Sequence, residues 1–237
     1  MIVPHATLEM LVGQSDAHLS PVETSASLGA RIHLDAVGAF LNLRSEAAVS
    51  GFDLAIVSGF RSFEQQLSIW NRKATGQLAV LDTMARPRDI ATLSDEELVF
   101  AILRWSALPG ASRHHWGSDL DVFDRAAKPD NYPVELVPAE VDPGGMFAPL
   151  HAWLDARIAS DSAYGFFRPY DIDRNGVAPE RWHLSYAPVS LEYARLLTPT
   201  LLRQTIDEAD MRLKNVVLAH LETIFERFIV NTNPAFA

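Results

Sequence analysis

The strand-like segments of this sequence are few and short and lie in the middle of the chain, which restricts the folds open to it. Residues 119–123 begin with polar–apolar alternation, which predicts a half-buried strand. Strands concentrated in the middle, with helical patterns at both ends, are typical of an α+β fold. We therefore expect one domain with a small, mainly antiparallel central sheet flanked by helices. The predicted strands cover residues 54–57, 119–123, 164–170 and 181–187, with a further short strand near 134–137.

Helical periodicity of apolar residues accounts for much of the remaining sequence. Ser94 followed by Glu97 matches a capping box, which predicts the start of a helix at that point. An amphipathic pattern over residues 213–228 predicts a helix in a C-terminal helical extension. The other predicted helices cover residues 27–48, 63–73 and 146–158, and the tail is predicted to be helical from residue 191.

The composition excludes several classes of function. The 237 residues include no cysteine, which excludes cysteine nucleophiles, cysteine-ligated zinc, iron–sulfur clusters and disulfides. A chain of this length buries about 70% of its surface, so its core needs no disulfide. The net charge is −10, whereas binding to nucleic acid or to an anionic membrane surface requires a basic patch. We therefore expect neither a nucleic-acid partner nor a polybasic membrane anchor.

The sequence also bears on the compartment. Its first twenty residues lack a basic region followed by a sustained apolar region, so no signal peptide is visible. No window reaches about 18 uninterrupted apolar residues, so no membrane span is predicted. These features favour a soluble protein of the cytoplasm, with the periplasm or the cell envelope left open. The oligomeric state is not predicted.

Two histidines and an aspartate form a candidate metal site. His114 precedes a predicted turn at Gly117, and His183 lies on a separate, later strand. Two imidazoles and one carboxylate are a ligand set of catalytic zinc, with the fourth position left for water. Asp119 and Asp121 share one face of their strand, so the spacing does not select between them.

Three motifs resemble those of the zinc D-alanyl-D-alanine carboxypeptidases, in particular the VanY-type branch of these metallopeptidases. SRHHWGSDLD at residues 112–121 is similar to the family signature S-x-H-x-x-G-x-A-x-D. ERWH at residues 180–183 resembles E-x-W-H, and SGFRSFEQQ at residues 58–66 resembles S-G-Y-R-S-x-x-x-Q. The motifs occur in the family's order over about residues 15–187. The sequence departs from the signature at Asp119, where the family carries a small residue.

The resemblance implies roles for individual residues. It implies zinc bound by three residues, with the carboxylate supplied by Asp121, and it implies that Glu180 is the general base. It also implies that Arg61 stabilises the developing charge, and that Arg61, Gln66 and Ser112 contact the substrate. The implied metal ligands are His114, Asp121 and His183.

The implied function is hydrolysis of the terminal D-alanine bond of peptidoglycan stem peptides or related D-alanine-containing peptides. The alternatives are an L,D-carboxypeptidase, a D,D-dipeptidase or a stem-peptide endopeptidase of the same family, or a non-catalytic wall-binding module. A serine peptidase is excluded because no serine is followed three residues later by lysine and no G-x-S-x-G motif is present. We expect an N-terminal arm over residues 1–24, a zinc peptidase domain over 25–190, and a C-terminal helical extension over 191–237 packed on that domain.

Overall fold

A computed structural model describes residues 6–236, so the first five residues of the predicted N-terminal arm lie outside the described part. The strands are β1 Leu54–Ser58, β2 Asp119–Asp124, β3 Phe166–Phe167 and β4 His183–Tyr186. The helices before β4 are α1 Leu8–Leu11, α2 Val22–Leu28, α3 Ala36–Val49, α4 Phe63–Ala74, α5 Asp95–Leu103, α6 Pro138–Val141 and α7 Ala148–Ala159. The helices after it are α8 Ala187–Leu196, α9 Pro199–Glu208, α10 Lys214–Ala219 and α11 Leu221–Ile224, which continues into a π-helical turn, Phe225–Ile229. Short 3₁₀ turns cover Ile90–Thr92, Arg113–Trp116 and Pro234–Phe236.

The four strands form one antiparallel sheet in the order β1-β2-β4-β3. Leu120 and Val122 of β2 pack in a core that α3 and α7 share with the sheet. Side chains alternate between the two faces of a strand, so Asp119 and Asp121 lie on the face opposite this core. All six residues of β2 are buried, so the predicted half-buried strand is wrong in its burial. The predicted α+β fold with a small antiparallel sheet is confirmed.

The predicted helix over 27–48 is divided into α2 and α3. Gly29 ends α2 in left-handed geometry, at φ +87°. The chain then runs extended, and His33 forms a bridge with Leu19 and donates its backbone N–H to the carbonyl of Gly117. These contacts are remote in sequence, so the helical spacing of the apolar residues could not reveal them.

The predicted strand near 134–137 is not formed. Its backbone N–H groups donate to the side-chain carboxylate of Glu140, at 2.8–3.3 Å, and not to a neighbouring strand. In the predicted strand over 164–170, only Phe166–Phe167 pairs with β4. Tyr164 has φ +54°, and Pro169 has no N–H to donate, so the pairing is short.

The C-terminal helices pack against the N-terminal part of the chain. Val217 and Leu221 are buried in the same apolar cluster as Met10 and Leu11. The predicted helix over 213–228 is interrupted at His220, which leaves helical geometry and packs its ring against Phe100 at a centroid distance of 5.8 Å. The division of the chain at residues 24 and 190 stays a prediction.

Candidate metal centre

The three predicted ligands come together from three elements. His114 lies in the 3₁₀ turn that precedes β2, Asp121 lies on β2, and His183 is the first residue of β4. The antiparallel register places Asp121 directly opposite His183. All three residues are buried, and each offers a ligand atom within 4.8 Å of those of the other two.

Gly117 allows the chain to turn from His114 into β2. Its φ is +65°, and a Cβ at this position would lie 2.6 Å from Leu19 Cδ2 and 2.8 Å from the backbone nitrogen of His33. A glycine is therefore required here both by the backbone conformation and by the lack of space.

Substitution of Gly117 by alanine is expected to lower the free energy of unfolding by about 2–5 kcal/mol. Left-handed geometry costs about 1–2 kcal/mol for a non-glycine residue, and the steric overlap adds about 1–3 kcal/mol. Gly51→Ala is the matched control, because Gly51 has φ +89° with open space around it. This variant should lose only the contribution from left-handed backbone geometry. Urea unfolding of both variants measures the difference, and equal losses would contradict the steric argument.

The distances within the cluster are close to those between the ligand atoms of a zinc site. His114 Nε2 lies 3.3 Å from Asp121 Oδ2, and His183 Nδ1 lies 3.4 Å from Asp121 Oδ1. Zinc–ligand bonds of 2.0–2.1 Å in a tetrahedron place the ligand atoms about 3.3 Å apart. The two distances run to different oxygens of Asp121, so the cluster matches zinc in its donor set, and its ligand atoms lie close enough together to converge on one ion.

Hydrogen bonds fix which ring nitrogens face the cluster. His114 Nδ1 lies 2.9 Å from the carbonyl oxygen of Gly59, which can only accept, so Nδ1 donates and the lone pair is on Nε2. His183 has the opposite arrangement, because its Nε2 lies 2.9 Å from Asp119 Oδ1 and its Nδ1 faces Asp121. Each imidazole thus presents the nitrogen that a metal would need.

The electrostatics of the cluster favour a cation. Burial alone would lower the pKa of His183, but its hydrogen bonds to Asp119 and Glu180 and the charge of Asp121 raise this pKa to about 10. Burial would raise the pKa of Asp121, but the neighbouring His114, together with His183, lowers it. The carboxylates are therefore held ionised around the position where the imidazoles converge.

Glu180 lies beside this cluster. Its Oε2 is 3.2 Å from His183 Nδ1, and its side chain is 13% exposed. Its backbone N–H donates to the carbonyl of Tyr170, and its own carbonyl accepts from the N–H of His183, which forms the bend before β4. Glu180 is thus a carboxylate fixed next to the candidate metal position and open to the cleft.

Arg61 follows β1 and lines the same cleft. Its guanidinium donates to Ser58 Oγ at 3.0 Å and to Gln66 Oε1 at 2.9 Å. Within residues 6–236 it forms no close ion pair with a carboxylate, although its charge helps to lower the pKa of Asp121. Its backbone N–H donates to the carbonyl of His114, which ties this loop to the cluster.

Gln66 and Ser112 are placed differently from each other. Gln66 is fully buried on α4, and its amide nitrogen donates to the carbonyl of Ala107 while its oxygen accepts from Arg61. Ser112 lines the cleft, and its buried Oγ has no hydrogen-bond partner among the described residues. Ser112 therefore keeps an unused polar atom at the cleft, whereas both ends of the Gln66 amide are bonded within the protein.

Two buried residues near the site, His115 and Arg113, have structural roles that no motif in the sequence indicates. His115 points away from the cluster, and its ring lies between the Gly110 N–H and the Arg61 carbonyl oxygen. Arg113 adjoins His114 and forms a buried ion pair with Asp119 at 2.7 Å. The only sequence signal for this pair is the unusual carboxylate at position 119.

The cleft beside the cluster has a volume of about 390 Å³. One part of its wall comes from Trp105, Tyr170 and Trp182. Another part comes from Phe228 and Ile229 of the π-helical turn near the C-terminus. The cleft is of the size that small-molecule sites use, and it opens onto the candidate metal position.

Comparisons with known proteins identify relatives of this chain. The family model described as VanY, D-alanyl-D-alanine carboxypeptidase, matches residues 29–189. One uncharacterized protein of Haemophilus influenzae is 43% identical over 102 residues, which cover 43% of this chain and 70% of that protein. A second uncharacterized protein of this organism is 32% identical over 124 residues, covering 52% and 93% respectively.

The fold is also similar to that of a solved structure. A mutant of the vancomycin-resistance D,D-pentapeptidase VanY, from a VanB-type resistance cassette and in complex with Zn(II), superposes with a TM-score of 0.50. The two chains are 21% identical, and the match covers 86% of this chain and 91% of the other. At this identity the likeness concerns the fold. No helix within residues 6–236 is long and apolar enough to cross a membrane.

Proposed function

Because this chain belongs to the VanY D-alanyl-D-alanine carboxypeptidase family, we propose that it is a zinc-dependent carboxypeptidase that releases the terminal D-alanine of peptidoglycan stem peptides. The observation that carries the proposal is the position of Glu180, 3.2 Å from a ligand atom of the His–Asp–His cluster and open to the cleft. A carboxylate beside a three-ligand site is the arrangement that metal-assisted amide hydrolysis needs.

We infer that His114, Asp121 and His183 hold the zinc ion. When bound, zinc supplies a Lewis acid that polarises a carbonyl oxygen and makes water nucleophilic at neutral pH. The two neutral imidazoles and the single carboxylate leave a net positive charge at the site. The Zn(II) complex of the VanY mutant with a similar fold agrees with this choice of metal.

Glu180 is assigned the proton transfers of the reaction. Its carboxylate accepts a proton from the attacking water as the new C–O bond forms at the scissile carbonyl carbon. It then delivers that proton to the leaving amine nitrogen as the C–N bond breaks, so the glutamate ends the cycle ionised. The bend that fixes its backbone keeps the carboxylate at the edge of the cluster.

Arg61 is assigned the binding of negative charge on the substrate. Its guanidinium is held by two uncharged partners, which keeps it in place without neutralising it. It is available to the oxygen that gains charge during the attack and to the terminal carboxylate of the peptide. Gln66 acts through Arg61 in this assignment, and Ser112, which lines the cleft, is assigned a contact with the substrate.

Arg61→Ala is expected to lower kcat/KM by about 100- to 1000-fold, because a charge-stabilising donor of the reaction is lost. The measurement is D-alanine release at a series of stem-peptide concentrations. Arg125→Ala is the control, because Arg125 forms an exposed ion pair with Asp53 at 2.7 Å and should keep wild-type kinetics. A wild-type rate for Arg61→Ala would contradict the role given to Arg61.

The proposed function is tested by incubating the purified, zinc-analysed protein separately with tetrapeptide stems, pentapeptide stems and free D-alanyl-D-alanine, and identifying the products by mass spectrometry. Loss of a single alanine from the pentapeptide supports the proposal. Loss of one alanine from the tetrapeptide alone would indicate an L,D-carboxypeptidase, and cleavage only of free D-alanyl-D-alanine would indicate a dipeptidase. Larger fragments would indicate an endopeptidase, and an intact stem with bound zinc would indicate a non-catalytic module.

A further inference from the structure

Asp119 is a buried carboxylate beside the metal centre that the proposed mechanism does not use. It is fully buried on β2, two residues before Asp121. Its Oδ1 lies 2.9 Å from His183 Nε2 and 2.7 Å from Arg113 Nε, and its Oδ2 accepts from Ser118 Oγ at 2.7 Å. Both carboxylate oxygens are thus occupied by protein partners, so this residue is not free to bind solvent or substrate.

The contact with His183 determines how that imidazole is presented. An ionised carboxylate can only accept hydrogen bonds, so the proton of His183 is held on Nε2. When a metal ion occupies the cluster, the lone pair is on Nδ1, the nitrogen that faces Asp121. Outer-sphere carboxylates of this kind orient a ligating histidine and fix its tautomer.

The contact with Arg113 extends the arrangement to the other imidazole. Arg113 precedes His114 in the 3₁₀ turn, and its guanidinium lies over the ring of Trp116, at 4.9 Å from the centroid. A second nitrogen of the same guanidinium donates to Ser185 Oγ at 2.7 Å. Ser185 is opposite Asp119 in the β2–β4 register, so the ion pair joins the turn and both strands.

We propose that Asp119 is a positioning residue of the metal centre, which orients His183 through a direct hydrogen bond and holds the turn that carries His114 through Arg113. The inference rests on the proposed zinc site. The signature that this chain resembles has a small residue at this position. The hydrogen bonds from Asp119 to His183 and Arg113 are therefore a feature of this chain and not of the signature. Asp119 acts only through other side chains, and Asp121 alone is the carboxylate ligand.

The test is the zinc affinity of Asp119→Ala, measured by competition with a chelator on the full chain. Zinc is expected to bind about 10- to 100-fold more weakly than to the wild type, the usual cost of losing such a partner. Asp124→Ala is the matched control on the same strand. Asp124 is also buried, but it accepts from the backbone N–H groups of Asp53 and Ala126 and should keep wild-type zinc affinity.

A double variant, Arg113→Met with Asp119→Ala, separates positioning from folding. In the single variant the buried Arg113 loses its counter-charge, which by itself can disturb the structure. The double variant removes both charges but still leaves His183 without its partner, so its zinc affinity should stay weak. Recovery of wild-type affinity in the double variant would overturn the proposal, because it would assign the whole effect to the unpaired arginine.

The tautomer of His183 gives a second readout that a purely structural role would not change. Long-range ¹H–¹⁵N spectra of the zinc-loaded wild type should show His183 protonated on Nε2, and a proton on Nδ1 would overturn the inference. If the wild type binds no zinc, the proposed metal site fails and the inference fails with it. If the wild type binds zinc and Asp119→Ala binds it equally well, this inference alone fails.

Discussion

Glu180→Gln is expected to lower kcat for D-alanine release by about 100- to 10,000-fold while the zinc content stays at the wild-type level. General acid–base catalysis by a positioned side chain contributes a factor of this size. The amide of glutamine keeps the size of the side chain and an oxygen that can accept a hydrogen bond, but it cannot take up the proton of the attacking water. Because Glu180 is not one of the three converging ligands, its replacement should leave the metal in place.

The measurement combines steady-state kinetics with metal analysis of the same preparations. Glu135→Gln is the matched control, since Glu135 is an exposed carboxylate that lines the same cleft without belonging to the cluster. It should keep a kcat within a factor of a few of the wild type. Full activity of Glu180→Gln would remove Glu180 as the general base, and loss of zinc from this variant would show that the glutamate helps to bind the metal.

Acidification is expected to unfold the protein between about pH 6.5 and pH 4. Apart from the two histidines of the cluster, four histidines within residues 6–236 are buried, and burial lowers the pKa of each imidazole, to about 4 in two of them and to about 3 in the others. They are His18, His33, His115 and His151. In the unfolded chain each returns to a pKa of about 6.5 and takes up a proton below that pH, which the folded state does not.

The unfolded state therefore binds more protons than the folded state in this window, so the free energy of unfolding falls as the pH falls. One pKa unit corresponds to about 1.4 kcal/mol. Each histidine therefore lowers the free energy of unfolding by about 3 kcal/mol once the pH has fallen from 6.5 to 4.5 or just below. Four such losses are comparable to the whole stability of a typical domain, about 5–15 kcal/mol. The stability is fully present above pH 6.5 and is lost on the way to pH 4.

Urea unfolding at several pH values between 4.5 and 7.5 measures this dependence. His151→Phe should reduce the proton uptake on unfolding by about one, because it removes one of the four groups. A stability that stays constant from pH 7 to pH 5 would show that the buried histidines do not titrate as described.

The three residues of the cluster could be named from the sequence because the family motifs are local, although the spacing by itself did not select Asp121 over Asp119. His114 and Asp121 lie within one ten-residue motif, and the residues around His183 repeat a second motif. What it could not supply was the set of contacts between distant segments. The Asp119 carboxylate reaches Arg113 and His183 only because β2, β4 and the 3₁₀ turn are brought together by the sheet.

The errors in secondary structure have the same origin. The apolar spacing over 27–48 is helical, but the pairing of His33 with Leu19 and Gly117 holds the middle of that segment extended. The β-branched residues near 134–137 resemble a strand, but their N–H groups are taken by the Glu140 carboxylate. In the first segment the conformation is set by backbone partners that are distant in the sequence. In the second it is set by a side-chain carboxylate that accepts the hydrogen bonds a neighbouring strand would otherwise accept.

The π-helical turn that places Phe228 and Ile229 in the cleft wall lies outside the matched family region, which ends at residue 189. The residues that we assign to bond cleavage and the residues that shape part of the recognition surface are therefore encoded in different stretches of the gene. Under the proposed function, mutations in the tail are expected to alter which peptides are accepted without changing the residues assigned to hydrolysis. Substrate preference transferred from relatives aligned over residues 29–189 alone would omit this part of the binding surface.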